Sequence, residues 1–200
     1  FKLLLKKGYK NLITCDRKTL NLRDKACLNN WFKNNKPEIV IDAAAKVGGI
    51  GANINSHDKF LLENLEIQNN LIDISFQNKV KRFLFLGSSC VYPRDTNQPM
   101  REEQLLTGEL EPTNEGYALA KIAGVKLCEL YNKQYGTDYR SIMPSNLYGP
   151  KDNFNLLKSH VIPALILKFH LAKINNLPKV LVWGDGKRSE DTRLNSSHVV

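Results

Sequence analysis

The sequence predicts an α/β protein built on an open, doubly wound parallel sheet. Short apolar runs alternate along the chain with longer amphipathic segments, a rhythm typical of strands joined by right-handed helical crossovers. The run EIVIDAAA at 38–45 is apolar almost throughout, as in parallel strands that are covered on both faces. A second run, RFLFL at 82–86, leads directly into the small polar turn GSSC. Ligands of such sheets bind beyond the carboxyl ends of the strands, so we expect the chemistry in turns of this kind.

The N-terminal elements are predicted to be a strand, a helix and a second strand. NLITC at 11–15 has the pattern of the first strand. RDKACLNNWFKNN at 23–35 predicts a helix, with Asn21 or Thr19 as its N-cap. Pro37 then separates this helix from the next strand.

The later elements continue the alternation. We expect helices at 56–78, from near residue 115 and around 159–173, and strands at 139–149 and 179–184. The loops that follow residues 45, 86 and 143 would then lie side by side along one edge of the sheet. GGIGAN at 48–53 is not interpreted as the phosphate loop of a dinucleotide site, because it follows the strand at 38–45 and that loop belongs after the first strand of the sheet.

The formal net charge of +9 is compatible with an anionic partner. The lysines and arginines are scattered, however, and no basic run is interleaved with aromatic residues as in a nucleic-acid recognition element. No apolar run approaches the length of a membrane span, and the opening FKLLLKKGYK does not have the pattern of a secretory leader. We therefore interpret the charge as a lysine-rich solvated surface and expect neither nucleic acid nor a membrane as partner.

The four cysteines, Cys15, Cys27, Cys90 and Cys128, show no paired spacing and no metal-type grouping with the histidines. This predicts no structural disulfide, no metal site and a reducing, cytoplasmic environment. Cys15, Cys27 and Cys128 fall in strand or helix patterns and are expected to be small core residues. Cys90 differs, because it lies just beyond a strand.

YALAK at 117–121 contains the clearest chemical pattern of the chain. Tyr117 and Lys121 are four residues apart on a predicted helix, so their side chains share one face. A lysine ammonium near a phenol lowers the pKa of the tyrosine toward working pH, which suits general acid–base catalysis. The spacing alone also arises by chance in helices, but Ser88 after the preceding strand completes a Ser-Tyr-Lys set.

Five stretches together resemble the extended short-chain dehydrogenase/reductases, which have a Rossmann-like fold: AAAKVGGIGAN, LFLGSSCVYP, EPTNEGYALAKIAGVKLCE, YRSIMPSNLYGPKDNF and SHVIPAL. The resemblance runs from about residue 10 to 186. The Ser-Tyr-Lys set is common to the whole superfamily. A cysteine two residues after the serine (Cys90), together with a histidine in SHVIPA (His160), is a more specific pattern. In this pattern the chain resembles a narrower group, the NADPH-dependent 3,5-epimerase-4-reductases of GDP-4-keto-6-deoxy-D-mannose.

The resemblance implies a role for each residue in this chemistry. The ketone at C4 acidifies the hydrogens at C3 and C5, and Cys90 would act as the base and His160 as the acid that invert these centres. Hydride from NADPH would then reduce C4 while Tyr117 protonates the oxygen and Ser88 holds it. Lys121 would tune Tyr117 and bind the nicotinamide ribose. The product would be GDP-L-fucose, and a homodimer through the helices at 56–78 and 115–135 is also implied.

Three alternatives remain open at this stage. Cys90 and His160, each taken alone, could be a packing residue and a helix cap. The protein could instead be a nucleotide-sugar 4-epimerase or dehydratase, which keeps its NAD through the whole cycle and does not need Cys90 and His160. A redox sensor on the same fold would bind NADP without catalysis, although such proteins usually lose the Tyr-Lys pair that this chain keeps.

The cofactor type is ambiguous from spacing alone. Both Asp16 and Arg17 follow the strand predicted at 11–15, which would be the second strand of such a sheet. Asp16 would favour the adenosine ribose hydroxyls of NAD and Arg17 the 2′-phosphate of NADP, and the alternative is that both lie in a solvated turn. The resemblance places Arg17 against the 2′-phosphate with Asn21 and Leu22 beside it, which favours NADP(H). It further assigns cofactor contacts to Ala44, Leu86, Gly87, Ser88, Ser89, Tyr117, Lys121, Pro144, Ser145, Asn146, Leu147 and His160. Lys168 and Trp183 match positions that touch the GDP-sugar, although either could be surface charge or core.

The resemblance also predicts the domain organisation. Residues 1–151 would form an NADP-binding domain that lacks its first strand and glycine-rich loop, with residues 1–8 as the end of the helix after that loop. Residues 152–186 would begin a smaller substrate-binding domain. The tail 187–200 departs from the family pattern, since Glu190 stands where an arginine is expected, and we regard its origin as doubtful. A fragment of this kind is expected to be poorly active alone.

Overall fold

The computed structural model describes residues 1–156, 159–183 and 197–199, and within them the predicted parallel α/β sheet is confirmed. Strands β1 (Ile39–Asp42), β2 (Arg82–Leu86) and β3 (Asp138–Ile142) are neighbours in that order, and both pairings are parallel. Asp42 lies opposite Phe85, and Leu86 lies opposite Ile142. The carboxyl ends of the three strands therefore lie at the same edge of the sheet.

The described helices agree with most of the predicted ones. They are α1 (Lys2–Lys6), α2 (Lys25–Asn35), α3 (Ile50–Ile54), α4 (His57–Gln77), α5 (Glu115–Tyr135) and α6 (Val161–Ile174). Two short strands, β4 (Leu181–Trp183) and β5 (Ser197–Val199), pair antiparallel. Apart from β5, the doubtful tail lies outside the described residues. In the described part of the chain, no helix is both long and apolar enough to cross a membrane.

The chain divides into two compact units. The first, called the sheet unit, comprises residues 1–45, 63–87 and 122–142, and the second, called the cavity unit, comprises 46–62, 88–121 and 143–200. Helices α4 and α5 each begin in the cavity unit and continue into the sheet unit. Most of the buried apolar side chains belong to the sheet unit, and the chain beyond the strand ends continues into the cavity unit.

The core of the sheet unit is built around β2. Phe83 and Phe85 alternate along the strand with less buried residues and are at most 1% exposed, as the period of two in a strand requires. Gly124 of α5 packs against this strand, and a Cβ atom at its position would lie 2.3 Å from the Phe85 ring. A glycine is therefore required for α5 to approach the sheet this closely.

The prediction of a strand at 11–15 is wrong. These residues have no strand geometry, and most of them are exposed. A strand forms only when its backbone groups find a partner strand, and β1 pairs only with β2 among the described residues. The apolar pattern of NLITC is therefore not sufficient by itself to form a strand.

The predicted N-cap of α2 is also wrong. Asp24, rather than Asn21 or Thr19, caps the helix, and its side chain accepts a hydrogen bond from the Cys27 N–H at 2.9 Å. Thr19 is bonded to Asp16 instead, and Asn21 Oδ1 accepts from the Arg23 N–H. The sequence contains several capping residue types here, and only the path of the loop decides which of them precedes the first helical turn.

The strands are shorter than predicted. The run 38–45 is a strand only to Asp42, whose Oδ1 accepts the Ala44 N–H at 3.0 Å and turns the chain. The run 139–149 stops at Ile142, two residues before Pro144, which has no N–H to donate to a ladder. The chain passes into the cavity unit at residue 46 after β1 and at residue 143 after β3.

Candidate active site

A cavity of about 920 Å³ lies within the cavity unit. Three segments that the sequence singled out contribute to its wall: the turn after β2, the start of α5 and the chain from β3 to α6. The predicted site residues that line it are Ser88, Ser89, Cys90, Tyr117, Ser145, Asn146, Leu147, His160 and Lys168. The structure therefore brings most of the predicted chemical groups to one cavity.

The GSSC turn is held by its own serine. Ser88 Oγ accepts the Cys90 N–H at 3.4 Å and so caps a 3₁₀ turn at Ser89–Val91. The Ser89 N–H donates to the Pro144 carbonyl at 3.3 Å, which ties this turn to the segment after β3. Val91 is fully buried behind the turn. The Cys90 sulfur is thereby attached to a fixed backbone at the cavity wall.

Tyr117 and Lys121 occupy the first two turns of α5. The Lys121 Nζ lies 5.8 Å from the centroid of the Tyr117 ring, and Lys121 is only 3% exposed. A buried ammonium beside a phenol ring stabilises negative charge on that phenol. The helical spacing seen in YALAK therefore produces the electrostatic pair that acid–base use of Tyr117 requires.

Cys90 is half-buried beside Ser88, and the positive charge of Lys121 acts on its thiol. Burial raises the pKa of the Cys90 thiol, and the Ser88 hydroxyl and the Lys121 ammonium oppose this only in part. The sulfur therefore carries its proton at neutral pH in this structure. Lys121 is the nearby cation that favours the thiolate.

His160 occupies the N-cap position of α6 and is exposed at the cavity. Its side chain makes no capping hydrogen bond to the helix. The geometry therefore does not support the alternative that the His160 side chain serves only to cap this helix. Cys90 and His160 share one cavity, which is the arrangement that a two-sided proton exchange needs.

Of the two residues predicted to contact the GDP-sugar, the structure describes the side chain of Lys168 only. Lys168 lines the cavity, and its Nζ donates a hydrogen bond to the Leu181 carbonyl at 3.0 Å, which ties α6 to β4. Trp183 is the last residue of β4, but its side chain lies outside the described part of the structure. Among the described residues, no group of three or more acidic, histidine or cysteine side chains is arranged so that it could hold a metal ion.

Lys121 and Pro144 belong to the cavity unit but do not line the cavity, and the other cofactor candidates lie in the sheet unit. They are Arg17, Asn21, Leu22, Ala44, Leu86 and Gly87. Arg17 is exposed and forms no ion pair with any described residue. Asp16 Oδ1 accepts hydrogen bonds from the backbone of Lys18 and Thr19, both at 2.9 Å, so this carboxylate is turned onto its own loop. The side chains present therefore fit a 2′-phosphate at Arg17 better than a free ribose diol at Asp16.

Sequence reasoning missed one part of the cavity wall. The segment Tyr92–Thr96 and residue Asn114 line the cavity beside the glycine loop at 48–51. The 3₁₀ turn at Pro112–Asn114 directly precedes α5, and α3 packs against it. The available signal was proximity in sequence, since both segments flank the predicted catalytic groups.

This chain is similar to known proteins in family, sequence and structure. The model of the NAD dependent epimerase/dehydratase family matches residues 1–192. The chain is 53% identical over 183 residues to the GDP-L-fucose synthase of Escherichia coli (strain K12), which is 92% of this chain and 57% of the relative. It is 46% identical over 176 residues to the GDP-L-colitose synthase of Yersinia pseudotuberculosis, covering 88% of this chain and 57% of that protein.

A solved structure, a GDP-L-fucose synthetase from Naegleria fowleri bound to NADP, is similar to this chain with a TM-score of 0.82. The two share 32% sequence identity, and the match covers 92% of this chain and 61% of that one. The present chain thus spans 57% of the length of both curated relatives described above.

Proposed function

This chain belongs to the NAD dependent epimerase/dehydratase family, and on that premise we propose that the whole protein converts GDP-4-keto-6-deoxy-D-mannose to GDP-L-fucose with NADPH. The observation that carries the proposal is that Cys90 and His160 line the same cavity as Ser88 and Tyr117. A simple ketone reductase needs the serine and the tyrosine. Only a reaction that also inverts carbon centres needs the thiol and the imidazole.

The epimerisation is assigned to Cys90 and His160. The C4 ketone stabilises a carbanion at C3 or C5 as an enolate, so a modest base is able to remove a proton there. Cys90 accepts the proton as its thiolate, which the Lys121 charge favours against the effect of burial. Protonated His160 returns a proton to the opposite face of the same carbon. After the thiol has lost a proton to water and the imidazole has regained one, the same exchange inverts the other centre.

The reduction is assigned to Ser88, Tyr117 and Lys121. Bound NADPH supplies a hydride to C4 of the sugar. Tyr117 donates its phenolic proton to the C4 oxygen, and the Ser88 hydroxyl donates a hydrogen bond to the same oxygen. The Lys121 ammonium, near the Tyr117 ring, stabilises the phenolate that remains.

The two ends of the cofactor are assigned separately. Arg17, with Asn21 and Leu22, is assigned to the adenosine 2′-phosphate, because an exposed guanidinium binds a phosphate dianion in a bidentate manner. Ser88, Tyr117, Lys121 and the 144–147 segment are assigned to the nicotinamide end. A relative of known structure that is bound to NADP supports this choice of cofactor.

The assembly and the compartment are also part of the proposal. Leu119 and Leu130 are exposed and lie eleven residues apart on α5, which places them on one helical face. Two exposed leucines on one helical face support a homodimer through the long helices at 56–78 and 115–135. All four cysteines are free thiols, which supports a reducing, cytoplasmic compartment.

The test uses the purified full-length protein with GDP-4-keto-6-deoxy-D-mannose and NADPH. We expect stoichiometric NADPH oxidation and a product with inverted C3 and C5, identified by NMR. Tyr117→Phe should lower the reduction rate about 10²–10⁴-fold, the usual contribution of an acid–base group. Lys81→Met, which lies outside the long helices and loses only an exposed ion pair with Glu38, is the matched control.

The rival functions give other results. A 4-epimerase or dehydratase of this family would turn over the sugar with no net NADPH oxidation. A redox sensor would bind NADPH with no turnover, and Tyr117→Phe would leave its binding unchanged. Either result would contradict the proposal.

A further inference from the structure

We propose that Asn70 of α4 is a positioning residue that sets the NADPH preference by fixing the loop at residues 16–24, called here the selectivity loop. The inference rests on the proposed function, because it assumes that Arg17 in this loop meets the 2′-phosphate. It concerns a residue that touches neither the cofactor nor the substrate in that proposal.

The Asn70 amide bridges two successive carbonyls of the selectivity loop. Its Nδ2 donates to the Leu22 carbonyl at 3.0 Å and to the Arg23 carbonyl at 3.1 Å. The partners are 48 and 47 residues away in sequence, so these bonds attach the loop to the helix. A primary amide has two N–H groups, and both are used here.

Neighbouring contacts hold the same end of the loop on α4. The Arg23 guanidinium pairs with Glu66 through its Nε, and its Nη1 lies 3.7 Å from Glu63. Leu20 is only 4% exposed and anchors the middle of the loop in the core. The C-terminal half of the loop is therefore fixed by one buried side chain, one amide and one guanidinium.

The other end of the loop is braced internally by Asp16. In addition to the two backbone N–H groups described above, its Oδ1 accepts the Thr19 hydroxyl at 3.1 Å. These hydrogen bonds hold the pKa of the Asp16 carboxyl below its usual value, because they favour the charged form. Arg17 lies inside this braced turn and is the exposed charged group that the turn presents beside Lys18.

The physical consequence concerns selectivity rather than affinity in general. A bidentate guanidinium–phosphate contact depends on the orientation of the loop, whereas the contacts that NADH and NADPH have in common do not involve the 2′-phosphate. Releasing the Asn70 bridge lets the loop move and spreads Arg17 over several positions. The loss should therefore fall on NADPH and leave NADH binding almost unchanged.

The experiment measures the dissociation constants of NADPH and NADH for the full-length protein by nicotinamide fluorescence titration. Losing two hydrogen bonds that hold the loop, Asn70→Ala should weaken NADPH binding about tenfold and NADH binding less than about twofold. Glu66→Gln, which keeps the side-chain size and weakens only the Arg23 pair, should change the preference in the same direction by less. It serves as the second variant if Asn70→Ala lowers the amount of folded protein.

Asn78→Ala is the matched control. Asn78 follows α4, and its Nδ2 donates to Asn29 Oδ1 at 3.0 Å and to the Ile74 carbonyl at 2.9 Å, so it makes the same kind of bridge away from the selectivity loop. Its removal should lower the melting temperature as Asn70→Ala does, but leave the ratio of the two dissociation constants at the wild-type value. A merely structural Asn70 would behave like Asn78.

Two results would overturn the inference. If both folded variants, Asn70→Ala and Glu66→Gln, keep the wild-type NADPH preference, the selectivity loop needs no anchoring by α4, and the proposed function stands. If the wild-type protein binds NADPH no better than NADH, the cofactor assignment in the proposed function fails, and the inference fails with it.

Discussion

The two units of the molecule each contain a cysteine beside a serine, and the two sulfurs have different surroundings. Cys90 in the cavity unit is half-buried beside Ser88, and its charged neighbour is Lys121. Cys128 in the sheet unit is 1% exposed beside Ser141, and its charged neighbours are acidic, Asp42 and Glu129. Burial, with these acidic groups, raises the pKa of Cys128 to about 12. The residue pair is the same, but only Cys90 has access to a cavity and a neighbouring positive charge, the two conditions that favour a reactive thiolate.

The largest expected difference between the two cysteines is in catalysis. Cys90→Ser should lower the rate of C3 and C5 inversion about 10²–10⁴-fold, because a hydroxyl is a much weaker acid than a thiol. Cys128→Ser should leave the turnover per folded molecule within about twofold of wild type, while the buried hydroxyl costs about 1–3 kcal/mol of unfolding free energy. Inversion is measured by NMR of the product, and stability by urea unfolding.

If Cys128→Ser lost the inversion activity and Cys90→Ser kept it, the assignment of the base to Cys90 would be wrong. Reduction of a substrate that is already inverted provides the internal control. Cys90→Ser should retain this step, because Tyr117 and Lys121 are unchanged.

The second expected difference is in stability at alkaline pH. Cys128 keeps its proton in the folded state up to about pH 12, whereas the unfolded chain ionises it near its ordinary value of 9.0. Its stabilising contribution is therefore complete below pH 9.0 and decreases as the pH rises toward about 12, by about 1.4 kcal/mol for each pH unit. Cys128→Val, which keeps an apolar side chain of similar size, should show a flatter decline in unfolding free energy over this range.

The same measurement on Cys90→Ala sharpens the contrast. Its effect on the alkaline decline should be smaller than that of Cys128→Val, because Lys121 and the Ser88 hydroxyl partly offset the effect of burial on the pKa of Cys90. Equal slopes for the two variants would show that the opposite neighbouring charges have no influence.

The smallest expected effect concerns the charge beside Cys90. The rate of deuterium exchange at C3 and C5 of the keto sugar should rise with pH beyond neutrality, because the thiolate is the base and burial raises its pKa. Lys121→Met should move this rise to higher pH by about one unit, which is a tenfold lower exchange rate at a given pH. Deuterium exchange reports the proton transfer without the reduction step, which Lys121 also serves.

Lys81→Met is the control for the exchange experiment, because Lys81 lies in the sheet unit and its exposed ammonium pairs with Glu38 at 3.1 Å. Its pH profile should coincide with that of the wild type. An unchanged pH profile in Lys121→Met would mean that a group other than Lys121 stabilises the Cys90 thiolate.

Much of the fold and of the candidate site was predictable because the signals are local. The positions of α4 and α5, the end of β2 and the spacing of Tyr117 and Lys121 follow from helical and strand periodicity. The GSSC turn follows its strand directly, so its place at the sheet edge could be stated in advance. The gathering of Cys90 and His160 at one cavity was expected only from the resemblance, since the two residues are seventy positions apart.

What the sequence by itself determined was therefore the order of the elements and the face on which each chemical group lies, because both depend on neighbours within a few residues. The tertiary structure alone decided that 11–15 is not a strand, that Cys15 and Cys27 are exposed rather than core residues, and that Asp16 turns onto its own loop. Strand pairing, burial and the sign of the charge beside a thiol are contacts between distant parts of the chain. No local pattern encodes them, because the free energy of each depends on a partner that only folding brings near.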